Sequence, residues 1–146
     1  EKITSVLEML QARLLTCPEI ELHVTVDGRD LSGEYILFEV MNIKSIGPNL
    51  FLAPNADPGD GLFDVVCLTR GAHDTLDRCL EECKEGSPAP TGLPVRRGKQ
   101  IHIEWEGTPI HIDDQAWPES SANYPPSLTV IDITVDPDSL ELLTPA

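Results

Sequence analysis

About eight short strand-like runs, each closed by Gly, Pro, Asn or Asp, recur along this chain, and that recurrence limits its fold more than any other feature. Residues 21–26 alternate polar and apolar, Asp27-Gly28 supplies a tight-turn pair, and residues 35–40 form the next strand-like run, so the stretch reads as a hairpin. Residues 50–52, a breaker-rich turn over 54–61 and the apolar run 62–68 read as strand, turn and strand. Further strands are expected over residues 100–106, 110–113 and 128–135, with 140–143 as a last one. Two segments depart from this pattern. Residues 3–15 place Ile3, Val6, Leu7, Leu10 and Leu14 at helical spacing before Thr16-Cys17-Pro18 ends the run. Residues 72–84 carry Ala72, Leu76, Cys79, Leu80 and Cys83 on one stripe. The expected fold is therefore mainly β, an antiparallel β-sandwich with two short helices, and 146 residues suit a single domain over residues 1–146.

Charge narrows the function. Lys and Arg number 10 against 25 Asp and Glu, a net charge of −15, and every formally charged residue after Lys99 is acidic. Such a surface repels nucleic acid and gains nothing from anionic lipid by charge alone. No apolar run approaches the roughly 20 residues of a transmembrane helix. Four cysteines, Cys17, Cys67, Cys79 and Cys83, are too few and too irregularly spaced for a disulfide scaffold, which points to a reducing, cytoplasmic setting. The chain opens at Glu1 with neither an initiator Met nor a signal peptide, and is expected to be a piece of something longer.

Three places carry residues capable of chemistry. Between Leu52 and Asp64 lie Asp57, Asp60 and Asp64, in a turn able to aim carboxylates and backbone carbonyls at a hard cation such as Mg²⁺ or Ca²⁺. Asp and Gly also make ordinary turns, so both readings stay open. The second place is 101–114, read as a hairpin with Ile101, Ile103, Trp105, Ile110 and Ile112 buried, Glu104 opposite His111 and Asp113 opposite His102. A transition metal is one reading of those His and carboxylate pairs, and cross-strand pairing on a solvated face is the preferred one. Cys79 and Cys83 sit one helical turn apart on an apolar stripe and read as buried free thiols. Nucleophile elbow, Walker loop and Rossmann glycine fingerprint are all absent from the sequence.

Val40-Met41-Asn42, Gly47-Pro48 and the run from Leu52 through Asp57, Gly59-Asp60-Gly61 and Asp64 to Val65 resemble the C-terminal domain of the diacylglycerol kinase and sphingosine kinase family. Ile112-Asp113-Asp114-Gln115 is similar to that family's Asp-Gly-Glu element. The resemblance covers most of the chain and is most specific between Asn42 and Val65. It implies a β-sandwich that closes a cleft against an N-terminal nucleotide-binding domain, which this chain lacks. It further implies that the full-length protein is an ATP-dependent lipid kinase acting on a lipid hydroxyl such as that of diacylglycerol, and that this piece alone is inactive. Asp57, Asp60 and the Leu62 carbonyl become the expected ligands of a structural Mg²⁺ or Ca²⁺. The family's proton-accepting Glu falls on Gln115, whose amide takes no proton at ordinary pH, so Asp113 or Asp114 substitutes or the parent is a non-catalytic, lipid-binding or regulatory member. A cytoplasmic protein peripheral to the membrane is the corresponding expectation.

Overall fold

The strand over Ile20–Val26 (β1) forms where the alternation predicts it, burying Leu22, Val24 and Val26 and exposing Glu21 and His23 between them. The structure is a computed structural model and describes residues 2–46, 50–84, 91–107, 110–113, 115–117 and 128–136. A helix over Lys2–Thr16 (α1) precedes β1. After β1 come Arg29–Asp30 (β2), Gly33–Tyr35 (β3), Leu37–Met41 (β4) and Phe63–Leu68 (β5). A 3₁₀ turn at Arg70–Ala72 leads into the helix His73–Lys84 (α2). Val95–Gly98 (β6), Gln100–Trp105 (β7), Ile110–Ile112 (β8), Gln115–Trp117 (β9) and Thr129–Thr134 (β10) follow.

All pairings among the described strands are antiparallel. One sheet has the order β10-β7-β1-β2, with β3 also on β1, a second runs β4-β5-β6, and β8-β9 form a two-stranded ribbon. Strand β5 carries the architecture because it is buried on both faces. Val65 joins Leu22, Val24, Ile101, Ile103 and Trp105 in the core between the two sheets. Val66 and Leu68, pointing the other way, pack with Leu7 and Leu14 of α1, Leu76 and Leu80 of α2, and Leu50, Leu52, Ala53 and Ala56 of the preceding segment. The result is the expected sandwich with two helices, and the packing sets both helices against its second sheet.

Several local expectations are corrected. The Asp27-Gly28 turn is present, with φ of +49° and +75°, but the returning strand is β2 followed by β3. The run 35–40 breaks at Ile36, and β4 crosses to the second sheet to pair with β5. Residues 50–52 form no strand: Leu50 makes an isolated bridge with Ile46, and Phe51 is a bridge residue beside it. The 101–114 hairpin does not form: β7 lies between β1 and β10, while β8 pairs with β9, and Ile112 is 54% exposed. Strands β6 and β9 are additions, and the expected strand 140–143 lies outside the described residues. Leu76, Cys79, Leu80 and Cys83 are buried as the stripe predicts. No helix among the described residues is long and apolar enough to cross a membrane.

Candidate functional site

The turn before β5 is built from short polar side chains folding back on their own backbone. Asp57 Oδ1 accepts the Gly59 N–H at 2.9 Å, and Asp60 Oδ1 accepts the Leu62 N–H at 2.9 Å, two Asx turns in succession. The Asp60 N–H reaches the Asp57 carbonyl at 3.2 Å, and Gly61 sits at φ +70°. Ala53 and Ala56, both 1% exposed, anchor the start of the turn in the helix-side core. This folding holds Asp57 and Asp60 at the surface and brings Asp60 to the end of β6.

Arg97 joins this turn to the core. On β6 it pairs in register with Asp64 of β5, its guanidinium contacts Asp60, and its Nε lies 3.4 Å from Asp64 Oδ1. Asp64 is 1% exposed, and its second oxygen, Oδ2, is buried with no hydrogen-bond partner among the described residues. Burial pushes the Asp64 carboxyl above the usual carboxylate range, Arg97 pulls it back, and the neighbouring Asp60 charge pushes it up again. The turn's oxygens suit a hard cation in kind: each Asx turn uses one oxygen of its carboxylate and leaves the other. Arg97 competes for the remaining oxygen of Asp60. Among the described residues no three His, Cys, Asp or Glu side chains are grouped to hold a metal, so an ion on Asp57, Asp60 and the Leu62 carbonyl would complete its shell with water.

The second acidic element sits elsewhere. In the β8-β9 ribbon Ile112 pairs with Gln115, placing Asp113, at φ +52°, and Gln115 exposed at one end. Asp114 lies outside the described residues. No hydrogen bond or ion pair joins Asp113 or Gln115 to Asp57 or Asp60. The ribbon approaches β4: His111 opposes the upward pull that burial exerts on the Glu39 carboxyl, and Ile110 packs against the inter-sheet core. Glu39, a partly buried carboxylate in an otherwise apolar strand, and Arg97 are the two charged residues of this region that no motif announces.

His102 and His111 do not converge. His111 pairs with Ala116, and His102 instead holds Asp132 of β10 at 2.7 Å through Nδ1 and Glu104 at 3.0 Å through Nε2. Those hydrogen bonds, Asp132 first, raise the His102 imidazolium above its ordinary range. Cross-strand pairing on an exposed face is thus right in kind, with a different partner. Cys79 and Cys83 are buried and form no disulfide, the Cys79 thiol donates to the Thr91 carbonyl at 3.4 Å, and burial raises the Cys79 pKa.

Comparison with known proteins places this geometry in context. Residues 5–144 match the family described as the YegS C-terminal NAD kinase beta sandwich-like domain. A diacylglycerol kinase of Mycobacterium tuberculosis is 25% identical over 104 residues, which is 70% of this chain and 34% of the relative. A crystal structure of a diacylglycerol kinase from Bacillus anthracis superposes with a TM-score of 0.57 at 18% identity, over 88% of this chain and 43% of that one. A second, from the same organism and titled a putative diacylglycerol kinase, gives 0.59 at 19% identity over 94% and 46%. The chain therefore spans about a third of the curated relative and under half of each solved structure.

Proposed function

The chain belongs to the YegS C-terminal NAD kinase beta sandwich-like domain family, and from that membership we propose that it is the cleft-closing domain of a diacylglycerol kinase-like lipid kinase. The carrying observation is that the family match spans residues 5–144 and that the curated relative matched over 104 residues of this chain is named a diacylglycerol kinase. In this reading the nucleotide is held by an N-terminal domain of the same polypeptide, and Mg²⁺-ATP supplies the phosphoryl group that a lipid hydroxyl such as that of diacylglycerol receives. The share of this chain is to wall the cleft, exclude water and present an acidic element to the acceptor hydroxyl. The setting is cytoplasmic, with peripheral contact to the membrane that holds the lipid.

We propose further that Asp57, Asp60 and the Leu62 carbonyl take a structural Mg²⁺ or Ca²⁺. The two Asx turns support this, since they preset both carboxylates beside a shared backbone segment. A second reading, a non-catalytic lipid-binding or regulatory member, is favoured by Gln115, which stands where the family resemblance expects a carboxylate.

Turnover on diacylglycerol by the full-length parent separates the readings. A catalytic parent is expected to lose most of its rate, roughly 10²- to 10⁴-fold, on Asp113→Asn or Asp114→Asn, whichever residue accepts the proton. A parent that binds diacylglycerol vesicles without turnover, and gains turnover on Gln115→Glu, is the regulatory member. Absence of both turnover and lipid binding overturns the lipid-kinase reading.

A further inference from the structure

We propose that the cavity walled by Arg29, Arg96 and Arg97 is a binding site for the phosphate group of an anionic ligand. The cavity measures about 600 Å³ and lies where the β1-β2 turn meets the end of β6. Three of the ten basic residues in a chain of net charge −15 meet there. Their convergence is a product of the fold, because Arg29 comes from the first sheet and Arg96 and Arg97 from the second.

The two acidic residues lining the cavity are already engaged by neighbouring backbone. Asp27 Oδ1 accepts the N–H groups of Lys99 at 3.0 Å and Gln100 at 2.9 Å. Asp30 Oδ1 accepts the Ser32 N–H at 3.0 Å and the Ser32 hydroxyl at 2.6 Å. Arg97 is held by Asp60 and Asp64. Arg29 and Arg96 have no ion-pair partner among the described residues. Asp27 and Asp30 keep their charge while so engaged, but the two guanidiniums have no direct ion pair, and a dianion seated between them gains the attraction of both.

The positions of both arginines are fixed by backbone rather than by their own side chains. The Asp27 N–H bonds the Gln100 carbonyl at 2.8 Å, so the β1-β2 turn is latched to the β6-β7 corner from both ends of Asp27. Gly98 permits the close approach: a Cβ there would lie 2.4 Å from Val26 Cγ1. Arg29 pairs with Val26 and Arg96 with Val65, which sets each on a defined strand position. A guanidinium is a planar fork of donors, and two of them supplied from different strands can each take separate oxygens of a tetrahedral phosphate. A phospholipid headgroup and a free or nucleotide phosphate share this chemistry.

The test titrates the ¹⁵N-labelled 146-residue chain with inorganic phosphate and pyrophosphate against sodium chloride of equal ionic strength. Saturable shifts are expected at Gly28, Arg29, Arg96 and Lys99. Arg29→Gln and Arg96→Gln should each weaken pyrophosphate by about tenfold, the loss of one charge-assisted pair, and the double variant should abolish it. Arg78→Gln, on the exposed side of α2, should leave it unchanged. Sedimentation with phosphatidic acid vesicles that depends on both arginines identifies the ligand as a headgroup. Phosphate binding without vesicle binding identifies a free or nucleotide phosphate. If the double glutamine variant melts early, Arg29→Lys with Arg96→Lys keeps the charge and removes the forks, and must still weaken pyrophosphate. Unsaturable shifts, or saturable ones that survive loss of both arginines, overturn the proposal.

Discussion

Arg97→Gln should destabilise the chain by about 1–3 kcal/mol at neutral pH, because it leaves the Asp64 carboxylate buried and uncompensated. Removing one partner of a fully buried ion pair costs about 3–5 kcal/mol. The Arg97 side chain is 42% exposed and its Nε lies 3.4 Å from Asp64 Oδ1, so water replaces part of what is lost and the lower figure applies. For a chain near 150 residues this is a fall in melting temperature of about 3–10 °C. The assay is urea and thermal unfolding, in chelator, of the parent chain, Arg97→Gln, Asp64→Asn and the double variant. In the Asp64→Asn background the charge is gone, and Arg97→Gln should cost less than about 0.5 kcal/mol. The pH dependence has a definite sign. Burial raises the folded-state pKa of Asp64 above its unfolded value, so the native state binds its proton more tightly, and the destabilisation from the buried charge is relieved as pH falls through the folded pKa. Removing Arg97 removes a lowering influence, so the deficit of Arg97→Gln should shrink on acidification. Equal deficits with and without Asp64, or a deficit that deepens toward acid, would refute the argument.

Mg²⁺ or Ca²⁺ at about a hundred times its Kd should stabilise the chain by about 2.7 kcal/mol if the 57–62 turn holds it, and Asp57→Asn should remove the effect; identical melts in ion and chelator would return the segment to an ordinary turn. Gly98→Ala should cost about 1–3 kcal/mol by overpacking Val26 and should widen the amide shifts of Asp27 and Gln100, whereas a neutral outcome would show that the β6 end slides freely. The His102 imidazolium should titrate above its ordinary range and move back down in Asp132→Asn. Its contribution to stability is present below the unfolded pKa and lost as pH rises through the folded one, and an NMR titration unchanged by Asp132→Asn would discount the pairing. This chain alone is expected to transfer no phosphate to lipid, since it carries no glycine-rich phosphate loop leading into a helix, and turnover by the purified chain would overturn that.

Much of the architecture was legible because burial writes its period into the chain. β1, β7 and β10 alternate, α2 keeps a clean stripe, and all are where the pattern puts them. Apart from the strand expected at 50–52 and the additions β6 and β9, the errors concern partners rather than elements. Gly107-Thr108 looks like a hairpin turn locally, yet β7 is already paired on both edges by β1 and β10, leaving no free edge for β8. Ile36 lies in an apolar run that reads as one strand, but its N–H goes to the Leu68 carbonyl at 2.9 Å, and there the chain changes sheets. Side-chain period does not encode which of two sheets a strand joins.

The site divides along the same line. The turn at Asp57 and Asp60 was readable because Asp and Gly favour turns, and its two Asx bonds join residues two positions apart, whereas Leu62 entered only through the family resemblance. Arg97 was not, because β6 reads Val-Arg-Arg-Gly, with no apolar alternation to mark a strand and no nearby acid to mark a pair. Its partners Asp60 and Asp64 lie more than thirty positions earlier and meet it only through the β5-β6 register. The usable signal was compositional. Two adjacent arginines stand out in so acidic a chain, and the register sets Arg97 opposite Asp64 and Arg96 opposite Val65, with both lining the cavity they share with Arg29.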